Sequence, residues 1–167
     1  MNYHIRIEHP GPEPLGHLMI YIGIVGAEAA KFTKRGEERA RQIIRDILSN
    51  GEAARTLVSG RCHLGGVDIW AEEIAQELGC FDPKYIFPPA THSWETGYKP
   101  RNLQIAFESH IVHCITVDRL PEGFSGMRFS RCYHCNRTDH VKSGGCWTMK
   151  KAMRTERTGH LHIVENT

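Results

Sequence analysis

The chain has 167 residues, of which 40% are hydrophobic and 24% charged, and a formal net charge of +2. That length suits one domain over residues 1–167 with a sizeable core, and so small a charge argues against a surface built mainly for nucleic acid or membrane. No apolar run approaches the roughly 20 residues of a membrane span, and Met1 to Leu18 lacks a signal-peptide core. A cytoplasmic protein is expected, its six cysteines being thiols or metal ligands rather than disulfides.

Tyr3 to Ile7 alternates and predicts a short edge strand, followed by a Pro-rich loop to Gly16. His17 to Gly26 is almost continuously apolar, as expected of a strand buried on both faces. Beyond it, Thr33 is a candidate helix cap. Ala40, Ile43, Ile44, Ile47 and Leu48 recur at helical spacing, and Asn50-Gly51 stops the helix. Thr56 to Ser59 reads as a second strand and Val67 to Leu78 as a second helix ended by Gly79. Tyr85 to Phe87 reads as a short third strand, and Ala90 to Pro100 as an irregular polar stretch. A helix is expected from about Arg101, with Pro100 in its first turn. Ile111 to Val117 predicts a fourth strand, Cys146 to about Arg157 a helix, and His160 to Val164 a last strand.

Strands alternating with helices predict an α/β fold: a doubly wound, mostly parallel, Rossmann-like sheet. In such a sheet the loops at Gly26, Ser59–Gly66, Pro88–Pro100 and Asp118–Gly145 gather at the carboxyl ends of the strands, where ligands bind. Glycine there lets backbone N–H groups approach an anion, and helix N-termini add partial positive charge. A Gly-rich loop is weak evidence alone, because strand–helix turns also need glycine for their backbone angles.

Four short motifs in this order resemble the SLOG superfamily, which unites the DNA-processing protein A family with the Lonely Guy phosphoribohydrolases and small YspA-like members. They are Gly23-Ile24-Val25-Gly26; Ser59-Gly60 through Gly66-Val67-Asp68 with Ala71, Glu72 and Ala75; Pro100-Arg101-Asn102; and Ser143-Gly144-Gly145 with Thr148. The resemblance runs from about Met19 to Val164 and implies a nucleotide or nucleotide-derived ligand. Its contacts would come from Gly26, Ala27, Glu28, Ser59, Gly60, Arg61, Gly65, Gly66, Asp68, Arg101, Asn102, Ser143, Gly144, Gly145 and Thr148. Arg101 would meet phosphate or ribose, a task suited to a planar guanidinium. Asp68 would either bind a ribose hydroxyl or cap its helix. The resemblance also suggests a homodimer.

Phosphoribohydrolases of the Lonely Guy type carry PGG-x-GT-x-x-E. Here Trp147 stands at the glycine that precedes the motif's threonine, and Lys150 and Lys151 occupy the acidic positions. Glycosidic cleavage benefits from a carboxylate near the developing oxocarbenium charge, and no residue is assigned a catalytic role; Glu28 or Glu95, from other loops, would be the candidates to replace it. A binding protein acting as sensor or sequestering agent is therefore the leading expectation. A nucleotide N-glycosidase and a nucleic-acid-binding module are the alternatives.

Cys132-x2-Cys135-x4-His140-x5-Cys146 has nearly the spacing of a zinc knuckle. A closed Cys3His set is structural rather than catalytic. It would anchor an insertion over residues 119–146, with His134, Cys62 and His63 as alternative ligands. Arg128, Arg131, Arg137, Lys142, Phe129, Tyr133 and Trp147 give that insertion the basic and aromatic character of a nucleic-acid surface. Cys80 and Cys114 read as core residues.

Overall fold

The computed structural model describes residues 18–51 and 53–167; the expected edge strand at Tyr3–Ile7 and the Pro-rich loop lie outside them. Among the described residues four strands form the sheet: β1 (Ile20–Gly26), β2 (Arg55–Val58), β3 (Ile111–Val117) and β4 (Thr158–Val164). Their order is β2-β1-β3-β4, and every pairing is parallel. The helices are α1 (Lys34–Ser49), α2 (Val67–Leu78), α3 (Lys99–Glu108) and α4 (Gly144–Arg154).

Neighbouring residues in each strand serve opposite faces. Ile24, Leu57 and Ile115 pack beneath α1 and α2 with Ile44, Trp70 and Ile74. Val25, Val58 and Cys114 pack beneath α3 and α4 with Ile105, Cys146 and Met149. Helices on both faces are why the strands read as unbroken apolar runs, each fully buried Ile, Leu or Val contributing about 1.5–3 kcal/mol. The fold is thus α/β and doubly wound. The chain turns outward to β2, then crosses back over β1 to reach β3. The resulting switch point lies between the carboxyl ends of β1 and β3, where such sheets bind ligands.

Local rules set most boundaries. Thr33 Oγ1 accepts from Gly36 N at 3.0 Å and caps α1. Gly79, at φ +74°, ends α2 in the left-handed conformation. Several boundaries differ from the sequence expectation; β1 starts at Ile20 rather than His17, β4 at Thr158 rather than His160, and α4 ends at Arg154 rather than Arg157. Tyr85–Phe87 is not a strand: a single parallel bridge joins Ile86 to Ser59, because Pro83–Tyr85 is a short 3-10 turn and Pro88-Pro89 follows at once. α3 begins at Lys99, behind a π-helical turn at Trp94–Tyr98 capped by Ser93. α4 begins at Gly144 rather than Cys146, because the Ser143 hydroxyl accepts from Gly145 N at 3.0 Å and caps the helix two residues earlier. Between Val117 and Ser143 the chain forms no helix or strand, and its one bridge pairs Cys132 with Arg137.

Candidate functional site

A cavity of about 710 Å³ opens at the switch point, a size typical of small-molecule sites. The loop after β1 supplies Gly26, Ala27 and Glu28, and the first turns of three helices supply Asp68, Arg101 with Asn102, and Gly144 with Gly145. Two of these helices, α2 and α4, start at the cavity and turn the positive ends of their dipoles toward it, whereas α3 continues the π-helical turn that precedes it. Ser143 and Thr148 complete this set.

Two of the anticipated glycines are needed for the loops to meet. A Cβ on Gly145 would lie 2.8 Å from Gly26 N and 3.0 Å from Cys114 Sγ, so α4 reaches the end of β1 only without a side chain there. A Cβ on Gly66, at φ +87°, would lie 2.4 Å from Ala27 O, the carbonyl that accepts from Val67 N. Ser59, Gly60, Arg61, Gly65 and Gly66 do not line the cavity. Ser59 Oγ is spent on Ile24 O at 2.7 Å, tying β2 to β1. Arg61 folds away to fork onto Glu72, with Nε and Nη2 reaching Oε1 at 3.0 and 2.5 Å. Gly60 acts indirectly: its carbonyl accepts from Arg101 Nη1 at 2.5 Å, and a Cβ there would strike that guanidinium.

Arg101 is held on several sides. Asp68 Oδ2 lies 3.7 Å from Nη1, and the Tyr98 ring centroid lies 5.6 Å from Cζ. The Nε atom is buried with no hydrogen-bond partner. A buried guanidinium donor left unpaired is costly. Asp68 accepts from Cys62 N at 3.2 Å. Burial pushes its carboxyl up to about 6, against the opposing pull of the Arg101 charge. It therefore sits at the N-terminus of α2 and also in the cavity wall. Glu28 lines the cavity beside Lys31, 3.9 Å away, and burial lowers the Lys31 ammonium. Glu95 is exposed, pairs with Lys99 and does not line the cavity.

The structure adds residues that sequence reasoning did not assign to the ligand. Trp94 and Trp147 meet edge to face at 5.0 Å on the cavity wall. Tyr98, Tyr133, His134, Lys31 and Lys142 line it as well. The Trp94 and Tyr98 aromatic positions in a polar stretch were the available signal. Which element they would face depends on the π-helical turn, for which there is no local sequence rule.

Next to this wall lies the second constellation. The ligand atoms of Cys132, Cys135, His140 and Cys146 are all within 4.8 Å of one another. A tetrahedron with metal–sulfur bonds of about 2.3 Å has edges of about 3.8 Å, and Cys146 Sγ lies 3.8 Å from His140 Nε2. His140 Nδ1 lies 2.8 Å from Asp139 Oδ1. The carboxylate fixes the ring so that Nε2 offers its lone pair. Burial and the crowding of other thiols push Cys135 up to about 12. A cation removes that penalty by taking the thiolates as ligands. The four residues can therefore hold a metal ion. His134, Cys62 and His63 stand outside the foursome: His134 and Cys62 line the cavity, and His63 stacks on His92 at 3.9 Å. Cys114 is buried as expected, but its Sγ also touches Cys146 Sγ at 3.8 Å.

No helix among the described residues is long and apolar enough to cross a membrane. Compared with protein-family models, curated proteins and solved structures, the chain gives no match.

Proposed function

We propose that the chain is a nucleotide-binding protein of the SLOG type that holds a nucleotide or nucleotide-derived anion in the switch-point cavity, as a sensor or sequestering protein. The observation that carries this reading is the meeting of the α2 and α4 N-termini with Arg101 in one cavity. Backbone amides and the guanidinium suit phosphate, while Trp94, Trp147 and Tyr98 offer ring surface to a base. We further assign the neighbouring cluster to a structural zinc ion. Three thiolates and one imidazole match its preference and leave no open position for catalysis.

One observation favours a hydrolytic variant of the same reading. Asp68 stands in the cavity wall with its carboxyl raised to about 6 by burial, which makes it the group placed to protonate a leaving base as water adds to the ribose carbon.

Titration calorimetry with the four common nucleoside 5′-monophosphates tests the proposal, with chromatography of the mixtures for free base. Measurable heat with intact nucleotide supports the sensor, and base release supports the hydrolase. Absence of both heat and a thermal-midpoint shift at millimolar nucleotide overturns the nucleotide assignment. Elemental analysis is expected to give about one zinc per chain; a value well below one removes the zinc assignment.

A further inference from the structure

Taking the cavity to be a nucleotide site as above, we propose that metal occupancy of the Cys132/Cys135/His140/Cys146 cluster regulates it: the ion builds one wall of the cavity, so metal and nucleotide bind with positive linkage.

The argument starts from the insertion's lack of internal structure. Between Val117 and Ser143 its one bridge is Cys132 with Arg137, and Val141 N ties the far end to Val117 O at 2.8 Å. Ordering such a segment costs conformational entropy that no helix or ladder offsets. A metal bound only by the ordered form supplies the difference. What it orders is cavity wall. Tyr133 and His134 sit between two ligands, Cys132 and Cys135, and both line the cavity. Lys142 lies two residues beyond His140, with its ammonium 4.3 Å from the Phe129 ring centroid and 4.9 Å from that of Tyr133. Its carbonyl accepts from Lys31 Nζ at 3.2 Å across the rim.

The fourth ligand reaches the other side of the site. Cys146 is the third residue of α4, directly after the Gly144 and Gly145 backbone that lines the cavity. One ion would therefore join the flap to the helix start. Losing it frees Tyr133, His134 and Lys142 together and unpins the first turn of α4. Linkage requires reciprocity: whatever factor the metal adds to nucleotide affinity, nucleotide adds to metal affinity.

The test uses adenosine 5′-monophosphate as the probe on the zinc-loaded and the chelator-stripped chain of 167 residues. Stripping is expected to weaken binding tenfold or more, and saturating nucleotide to raise zinc affinity by the same factor in a chelator competition. Equal affinity for both forms, within twofold, overturns the linkage. If neither form binds, the nucleotide reading falls and this proposal with it. Amide exchange checks the wall without any nucleotide: protection over residues 127–145 is expected to drop on stripping while α1 is unchanged, and unchanged protection of 127–145 refutes the claim. Should the stripped protein unfold, Asp139→Asn keeps the question open to test. It removes the carboxylate behind His140 and is expected to weaken zinc 10- to 100-fold. Its nucleotide affinity should be low at limiting zinc and recover at saturating zinc. A deficit that persists at saturating zinc overturns the linkage.

Discussion

Asp68 offers a direct test of the site's electrostatics. Its carboxyl is buried at the start of α2, and that burial raises it from 3.8 to about 6 in the folded chain. Because the folded value lies above the unfolded one, the fold prefers the protonated acid. The associated stability is fully present below pH 3.8 and is lost as pH rises through about 6. At 1.36 kcal/mol per decade of acidity, the whole change is about 3 kcal/mol, of which about 1.4 kcal/mol falls between pH 5 and 8. Asp68→Asn removes the titration while keeping the side chain's size and its acceptor for Cys62 N. Urea unfolding of both proteins, zinc-loaded, at half-unit steps from pH 5 to 8 isolates the effect. Titrations shared by the two chains cancel in the difference. The wild type should lose about 1.4 kcal/mol relative to the variant across that range, most of it below pH 6.5. Parallel stability curves would refute the burial argument. A wild type that gains stability with pH would show that the Arg101 charge outweighs desolvation.

Arg101→Lys keeps the charge but not the fork that reaches Gly60 O; nucleotide affinity measured by calorimetry should fall at least tenfold, and unchanged affinity would remove Arg101 from the site. Gly145→Ala drives a Cβ to 2.8 Å from the Gly26 backbone; overpacking of this kind costs about 1–3 kcal/mol in urea unfolding, and a neutral result would mean that α4 moves away freely. Asn166 is buried at the chain's end, accepts from Thr33 N at 2.7 Å and donates to Lys31 O and Arg119 O at 3.0 and 2.8 Å. Asn166→Ala strands those groups and should lower stability by about 2–3 kcal/mol by the same assay. A loss under 0.5 kcal/mol would show that water replaces the amide.

Periodicity alone made the layered architecture legible. Apolar runs such as Ile111–Val117 extend as strands buried on both sides, and α2 spans Val67 to Leu78 as its pattern requires. The metal constellation was readable too, because its four ligands lie within 15 residues and spacing constrains a short loop strongly. The fate of Tyr85–Phe87 was not readable. Three apolar residues suit a strand, but their neighbours Pro83 and Pro88-Pro89 leave room for one bridge only.

Local chemistry in the chain therefore determined the alternation of elements, the caps at Thr33 and Gly79, and the cysteine grip. Tertiary structure decided which loop residues face a ligand. Ser59 and Arg61 belong to the same glycine-rich stretch as Asp68, yet long-range partners draw them away, Ile24 O for one and Glu72 for the other. Trp94 lies far in sequence from Lys142 and Trp147 and reaches their cavity only because the crossover between β2 and β3 brings its loop to the same rim. Such contacts depend on the packing of whole helices against the sheet, and no window of neighbouring residues encodes them.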